Sequence, residues 1–261
     1  MSHMVNVLGS IGHIFFLFLA GAGRLAIFIL NTLWLGIRPP YYPRQLLRQL
    51  KDMGYNSLPV VGLTSMFTGM VLALQSYTGF TRFSAEGAVA TVVVLSVTRE
   101  LSPVMAGLMV AGRVGAAMAA EIGTMRVTEQ IDALSTLSTN PLKYLVFPRV
   151  LAGVAMLPLL VLMGDIIGVF GGYIVSIYKL GFNPATYLQQ TREYLEPIDV
   201  TSGLVKASVF GFCIAMMGCY QGYYSKGGAQ GVGSATTNAV VSSSVLILLL
   251  NYLLTAIFFS S

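Results

Sequence analysis

Residues 86–113 read EGAVATVVVLSVTRELSPVMAGLMVAGR, and this stretch decides the fold. It holds two apolar runs, 87–98 and 101–112, on either side of Arg99 and Glu100. Crossing a bilayer takes about 20 predominantly apolar residues in a helix. Neither run is long enough alone; together they make one span with a charged pair inside it. Charge in hydrocarbon is costly, so such residues face a cavity or pair with each other. Adjacent helical residues point about 100° apart, so Arg99 and Glu100 do not easily satisfy each other. Pro103 has no amide hydrogen for the Arg99 carbonyl, and it disfavours helical geometry at Ser102. Ser102 and Pro103 are therefore expected as the N-cap and first residue of a helix that restarts within the membrane. Such a break is tolerated where it lines a cavity or is buried in protein.

The rest of the chain agrees. Of its 261 residues 55% are hydrophobic and 10% charged, against roughly 25% charged in an ordinary soluble domain. Too few charged side chains remain to coat a soluble core of this size. The composition excludes a soluble enzyme, a disordered protein and a nucleic-acid-binding domain. Further spans are expected at 58–78, at 150–178 with Asp165 inside, at 207–225 with Lys206 at its leading edge, and from the neighbourhood of Ala239 onward. That makes five. Residues 5–37 are apolar enough to cross, but Gly21-Ala22-Gly23-Arg24 interrupts them, and Phe15, Phe16, Phe18, Phe28 and Trp34 are bulky. A helix lying in the interface is the favoured reading, with a sixth crossing as the alternative. Met1-Ser2-His3-Met4 resembles the remnant of a cleaved tag, and no Lys or Arg precedes Arg24 to form the basic region of a secretory signal.

The net charge of +5 bears first on topology. Arg24, Arg38, Arg44, Arg48, Lys51, Arg113, Arg126, Lys143, Arg149 and Lys226 fall on one side of a five-span chain, against Arg82, Lys179 and Arg192 on the other. The positive-inside rule then puts the N-terminus in the cytoplasm. Cys213 and Cys219 share one apolar stretch at a spacing that suits neither a disulfide nor a metal pair.

Two connections look structured. Asn183-Pro184 can cap and start a short helix on the far side, with Tyr187, Leu188, Thr191, Tyr194 and Leu195 on one face and Pro197 as its stop. On the cytoplasmic side Thr128 can cap a helix with Glu129 and Gln130 in its first turn and Ile131, Leu134 and Leu137 recurring behind them. The stretch 121–134 alternates charged and apolar residues just outside the membrane, which suits a docking helix. Gly107, Ala111, Gly115, Ala119 and Gly123 make a stripe of small residues, a close-packing face within the subunit or against a second copy. Gly227, Gly228, Gly231 and Gly233 are expected to form a flexible loop. No phosphate-loop pattern occurs, so the chain does not itself hydrolyse ATP, and no catalytic or metal constellation is present in the sequence. An ion or proton channel that uses Arg99, Glu100 and Asp165 as a relay is the alternative to a transport subunit.

Residues 99–103 (RELSP), 111–117 (AGRVGAA) and 120–134 (AEIGTMRVTEQIDAL), with Asn140-Pro141 and 148–152 (PRVLA), resemble the MlaE family, the permease subunits of MCE-type phospholipid ABC transporters. The resemblance runs from about residue 40 to the end and is densest over 99–152. It implies an all-α integral membrane protein: an N-terminal interfacial helix, five transmembrane helices, a cytoplasmic coupling helix and a short periplasmic helix. Residues 58–261 would form the ABC permease domain, behind an interfacial region at 5–57 and the tag remnant at 1–4.

The resemblance also implies a homodimer in the bacterial inner membrane. It implies a cytoplasmic ABC ATPase that binds the ATP, a STAS-domain subunit on that ATPase, and a hexameric ring of MCE-domain protein. The work implied is phospholipid movement between the inner membrane and a periplasmic carrier, which maintains outer-membrane asymmetry. By the same resemblance Arg99, Glu100 and Lys206 line the lipid cavity, with Arg99 and Lys206 attracting the phosphate and Glu100 orienting Arg99. Tyr77, Leu72 and Val71 lie near the end of the first span against the acyl chains. Glu121, Arg126, Thr128, Glu129, Gln130, Asp132 and Leu134 belong to the ATPase coupling segment. Asn251 stands where at least one relative has aspartate, and Ser234 and Asn238 where it has arginines, so neutral hydrogen bonds are expected there. Asp165 lies outside the motifs that carry the resemblance.

Overall fold

Long apolar runs without backbone partners of their own must form helices in a membrane, because every amide and carbonyl has to be satisfied within its own segment. The computed structural model describes the backbone of residues 2–83 and 86–259, and the side chains of residue 16, 19–82 and 87–259. The side chains of the expected tag remnant and of Phe15 and Phe18 lie outside these. Among the described residues there is no strand. The α-helices are α1 (Ser2–Ile37), α2 (Pro43–Met53), α3 (Leu58–Phe80), α4 (Val89–Val127), α5 (Gln130–Thr136), α6 (Phe147–Tyr178), α7 (Pro184–Tyr194), α8 (Pro197–Tyr223) and α9 (Gly228–Phe259).

Among the described residues six stretches are long and apolar enough to cross a membrane: Leu19–Ile37, Pro43–Phe80, Val89–Val127, Leu142–Tyr178, Pro197–Tyr223 and Gly228–Phe259. Each of the five expected spans falls on one of them, and Leu19–Ile37 is the ambiguous segment. The protein is a multi-pass, all-α membrane protein. Helix α1 touches the rest lightly. Its anchor is Phe28, buried against the rings of Tyr220, Tyr223 and Tyr224.

The bundle is a chain of close helix contacts. α6 packs against α3 on one side and α8 on the other, α9 packs against α8, and α4 touches all four. Glycines set these distances. A side chain at Gly153 of α6 would strike the carbonyl of Gly211 in α8, and one at Gly211 would strike that of Gly153. Gly69 of α3 meets Gly168 of α6 in the same way. With no water to expel, packing of this kind holds helices together in lipid. The small-residue stripe of α4 is used inside the subunit. Gly107 lies against Ile247 and Phe210, Gly115 against Ile214, and Gly123 against Val232.

Several expectations change. α4 does not break at Ser102, which keeps helical angles of φ −64° and ψ −47°. The helix instead widens into a π turn at Val97–Leu101, where the Ser102 amide reaches back to the Val97 carbonyl, and again at Ala111–Gly115. A π turn takes up one extra residue and so absorbs the misfit of Pro103 without a break. Thr128 is no N-cap: it ends α4, and its hydroxyl bonds back to the Thr124 carbonyl. Glu129 makes the turn into α5 in the left-handed region, at φ 59°. The glycine-rich stretch is not a loop. Only Gly227 and Gly228 have positive φ, and α9 begins at Gly228. Gly231 is pressed against the Lys226 carbonyl, so the absent side chain serves a close approach.

Lys206 does not sit at the edge of its span. α8 begins at Pro197 because the Glu196 side chain and Asp199 form a capping box around the first turn. The predicted cap of α7 is present, with Asn183 Oδ1 accepting from the amides of Ala185 at 2.9 Å and Thr186 at 3.4 Å.

Candidate functional site

The first π turn, Val97–Leu101, presents Arg99 and Glu100 toward α8 and α9. α8 can come this close because Gly203 has no side chain to strike the Thr98 carbonyl. Each charged residue then finds its own partner. Arg99 Nε donates to Asp199 Oδ1 at 2.7 Å, and the Asp199 side chain is fully buried. Lys206 Nζ donates to Glu100 Oε1 at 2.8 Å. Asn251 Nδ2 donates to Glu100 Oε2 at 2.8 Å, and Thr255 Oγ1 lies 2.9 Å from Glu100 Oε1.

Lys206 also answers the backbone defect made by Pro103. Its Nζ donates to the Arg99 carbonyl at 2.9 Å, the oxygen that an amide at position 103 would cover in a regular helix, and to Thr255 Oγ1 at 2.8 Å. An ammonium has three protons, and all three are placed. Lys206 is fully buried, so it does not snorkel toward the interface.

Arg99 is different. Its side chain is 33% exposed. Its guanidinium carbon sits 4.5 Å from the centroid of the Phe259 ring. With Nε taken by Asp199, neither Nη has a hydrogen-bond partner among the described residues. The cluster therefore holds one cation that is saturated and one that presents open N–H groups.

The expected orientation of Arg99 by Glu100 does not occur, because the glutamate is engaged by Lys206, Asn251 and Thr255. Asp199 holds Arg99. Asp199, Thr255 and Phe259 were missed from sequence. Asp199 had a signal, a carboxylate three residues after Glu196 with Pro197 between. Thr255 and Phe259 had none, since only the packing of α9 brings them here.

Of the expected lipid-contacting residues, Arg99, Glu100, Lys206 and Asn251 come together. Val71, Leu72 and Tyr77 do not join them within one chain. α3 packs chiefly on α6 and α4 rather than on α8 or α9. Val71 is exposed, Leu72 packs beside Ala73 and Val89, and the Tyr77 ring meets Phe182 edge-on at 5.7 Å.

The predicted coupling residues gather at the other end of α4. Arg126 Nη1 binds Asp132 Oδ1 at 2.7 Å across the turn between α4 and α5. Arg149 Nη2 binds Glu121 Oε2 at 2.7 Å, tying α6 to α4. Ile131 is buried and Leu134 packs on the core, while Thr128, Glu129, Gln130 and Leu137 face outward. Beside them is a polar groove of about 600 Å³ whose walls include Gln45, Arg48, Glu121, Gln130 and Arg149. A short helix pinned by an apolar face, with its polar crest free, suits the docking of another protein.

Known proteins resemble this chain along its length. The family model described as Permease MlaE matches residues 46–257. A "Probable ABC transporter permease protein" of Rickettsia bellii is 62% identical over 256 residues, covering 98% of this chain and 99% of its own. "Protein TRIGALACTOSYLDIACYLGLYCEROL 1, chloroplastic" of Arabidopsis thaliana is 40% identical over 216 residues, covering 83% of this chain and 62% of its own. The "Intermembrane phospholipid transport system permease protein MlaE" of Haemophilus influenzae is 33% identical over 262 residues, covering 99% of both chains. With its spans, its internal charge cluster and these matches, the chain belongs to the MlaE family and is a membrane permease of an ABC transporter.

Proposed function

We propose that the chain moves phospholipid between the inner membrane and a periplasmic MCE-protein carrier, and that Arg99 is the residue that holds the lipid phosphate. The observation that carries this is the state of Arg99: a cation inside an apolar span, fixed at Nε by Asp199, with its Nη groups open. A guanidinium fork matches two phosphate oxygens. The name of the Haemophilus influenzae relative supports the substrate class.

In this reading two copies pack so that their Arg99 clusters face one cavity, with Val71, Leu72 and Tyr77 of the first span supplying apolar wall for the acyl chains. Asp199 positions Arg99, while Lys206 and Glu100 brace the π turn that carries it and do not touch lipid. Asn251 keeps Glu100 in place. Charge asymmetry puts the N-terminus and α5 in the cytoplasm. There Glu121, Arg126, Thr128, Glu129, Gln130, Asp132 and Leu134 couple to an ABC ATPase, which binds the ATP and carries the STAS-domain subunit. A hexameric MCE-domain protein receives or delivers lipid on the other face, and the traffic maintains outer-membrane asymmetry.

The test is ATP-dependent transfer of labelled phospholipid by the reconstituted transporter. Arg99→Ala should lower transfer and the phospholipid that co-purifies by about tenfold or more, the scale of a lost charge-assisted hydrogen bond. Undiminished transfer in the Arg99→Ala protein overturns the phosphate assignment.

A further inference from the structure

A second concavity lies between α4, α6, α7 and the start of α8; Thr98 and Val200 line it, beside Arg99 and Asp199 in the chain, but neither α9 nor any residue of the Arg99 cluster does. Its volume is about 610 Å³, within the roughly 300–1,000 Å³ of small-molecule sites. Leu162, Asp165, Val169 and Tyr173 follow one another at three- and four-residue spacing, so one stripe of α6 forms a wall, faced by Val94 of α4 and Leu188 of α7. The surface is nearly all carbon, and no Lys or Arg lines it.

Asp165 stands out in that wall. It is 5% exposed, and neither carboxyl oxygen has a hydrogen-bond partner among the described residues. The adjoining Ser102 hydroxyl gives its proton to the Val161 carbonyl at 3.2 Å instead. Buried polar atoms of folded proteins nearly always have partners. Among the described residues the one donor beside Asp165 is the Ser102 hydroxyl, whose single proton goes to Val161 and could at best serve one of the two carboxyl oxygens, so a further partner from outside the chain is called for.

We propose that this groove is a second lipid site. It takes one molecule of neutral, hydroxyl-bearing lipid, with the hydroxyl paired to Asp165 and an acyl chain along the apolar wall. The proposal needs only the membrane setting and stands apart from the transport reading. A hydroxyl both donates and accepts, so it serves a carboxylate or a carboxylic acid equally. A phosphate head group finds no cation here and meets a carboxyl. Asp165 is about 20 Å along α6 from Tyr178 at 1.5 Å per residue, a depth at which an ionic head group is costly. A partner's transmembrane helix with apolar side chains would leave Asp165 unpaired.

The experiment uses the transporter complex in nanodiscs, with dioctanoylglycerol and its O-methyl ether as probes and native mass spectrometry as the readout. Dioctanoylglycerol should bind saturably, one molecule per permease chain. The methyl ether, tested on the unaltered protein, should bind about tenfold more weakly, the worth of one good hydrogen bond. Asp165→Ala and the groove-filling Leu188→Trp should each weaken dioctanoylglycerol to a similar degree, and Arg99→Ala should not. Equal binding of the two probes overturns the proposal, as does unsaturable binding. Binding to the lone permease that vanishes in the complex also overturns it, because a partner segment then fills the groove.

Discussion

Asp199 Oδ1 accepts a 2.7 Å hydrogen bond from Arg99 Nε, while Asp199 Oδ2 accepts the amide of Glu196 at 3.0 Å. One carboxylate thus starts α8 and aims the cation of α4. The buried end of the pair is fully desolvated, and the other end, 33% exposed, keeps its open N–H groups. An arginine held at Nε alone is oriented without being neutralised as a ligand.

Asp199→Asn keeps the size of the side chain and removes its charge. It should cost about 1–2 kcal/mol of stability, the scale of a damaged helix cap. Lipid transfer should fall further than that loss of fold explains, because Arg99 is no longer aimed. Thermal unfolding in detergent and transfer in vesicles, measured on one preparation, separate the two effects. Equal transfer at reduced stability would leave Asp199 with a capping role alone.

Lys206 is saturated and buried, so its loss takes a donor from three acceptors, the Glu100 carboxylate, the Arg99 carbonyl and Thr255 Oγ1. Lys206→Met should destabilise by about 3–5 kcal/mol, as when one member of a buried ion pair is removed. Adding Glu100→Gln should return part of that, since the unpaired charge is gone. If the double variant is no more stable than the single one, the Lys206–Glu100 pair does not carry the cost.

Leu137 is the C-cap of α5 and is 74% exposed. Leu137→Asp should change stability by no more than about 0.5 kcal/mol, as for most surface substitutions. It should nonetheless weaken capture of the ATPase partner in co-purification. Arg126→Ala removes a pair that is open to solvent on both sides, worth at most about 1 kcal/mol, and should likewise act on coupling rather than on folding. Normal ATPase capture and normal coupled hydrolysis in both variants would move the docking surface elsewhere.

Gly211→Val places two methyl groups against the carbonyl of Gly153, where α6 and α8 touch backbone to backbone. The helices must separate, at about 1–3 kcal/mol or more for an overpacked contact. Because α8 carries Asp199 and Lys206, the variant should also loosen the charge cluster. A thermal midpoint equal to that of the unaltered protein would show that the contact is not tight.

The spans were readable because each is a local property. A run of apolar residues long enough to cross must become a helix wherever it sits in the sequence. The cap at Asn183 was readable for the same reason, since an N-cap involves residues two and three places away. Thr128 misled because its hydroxyl serves equally well to bond back within the preceding helix, and Glu129 takes the left-handed turn. Pro103 misled because a proline signals a misfit without saying how it is resolved, and here a π turn with Lys206 beneath it replaces the break. The four glycines after Lys226 misled because glycine marks both flexible chain and close approach.

The sequence by itself determined that this is a helical membrane protein with a charged pair held inside a span. Hydropathy, span length and the cost of unpaired charge in hydrocarbon all act over neighbouring residues. The tertiary structure alone decided which charges meet: Arg99 with Asp199, and Glu100 with Lys206, Asn251 and Thr255. Those partners are about a hundred residues or more apart in the chain. Only the glycine contacts that set helix spacing bring them within hydrogen-bonding reach, and that spacing is a property of several helices at once.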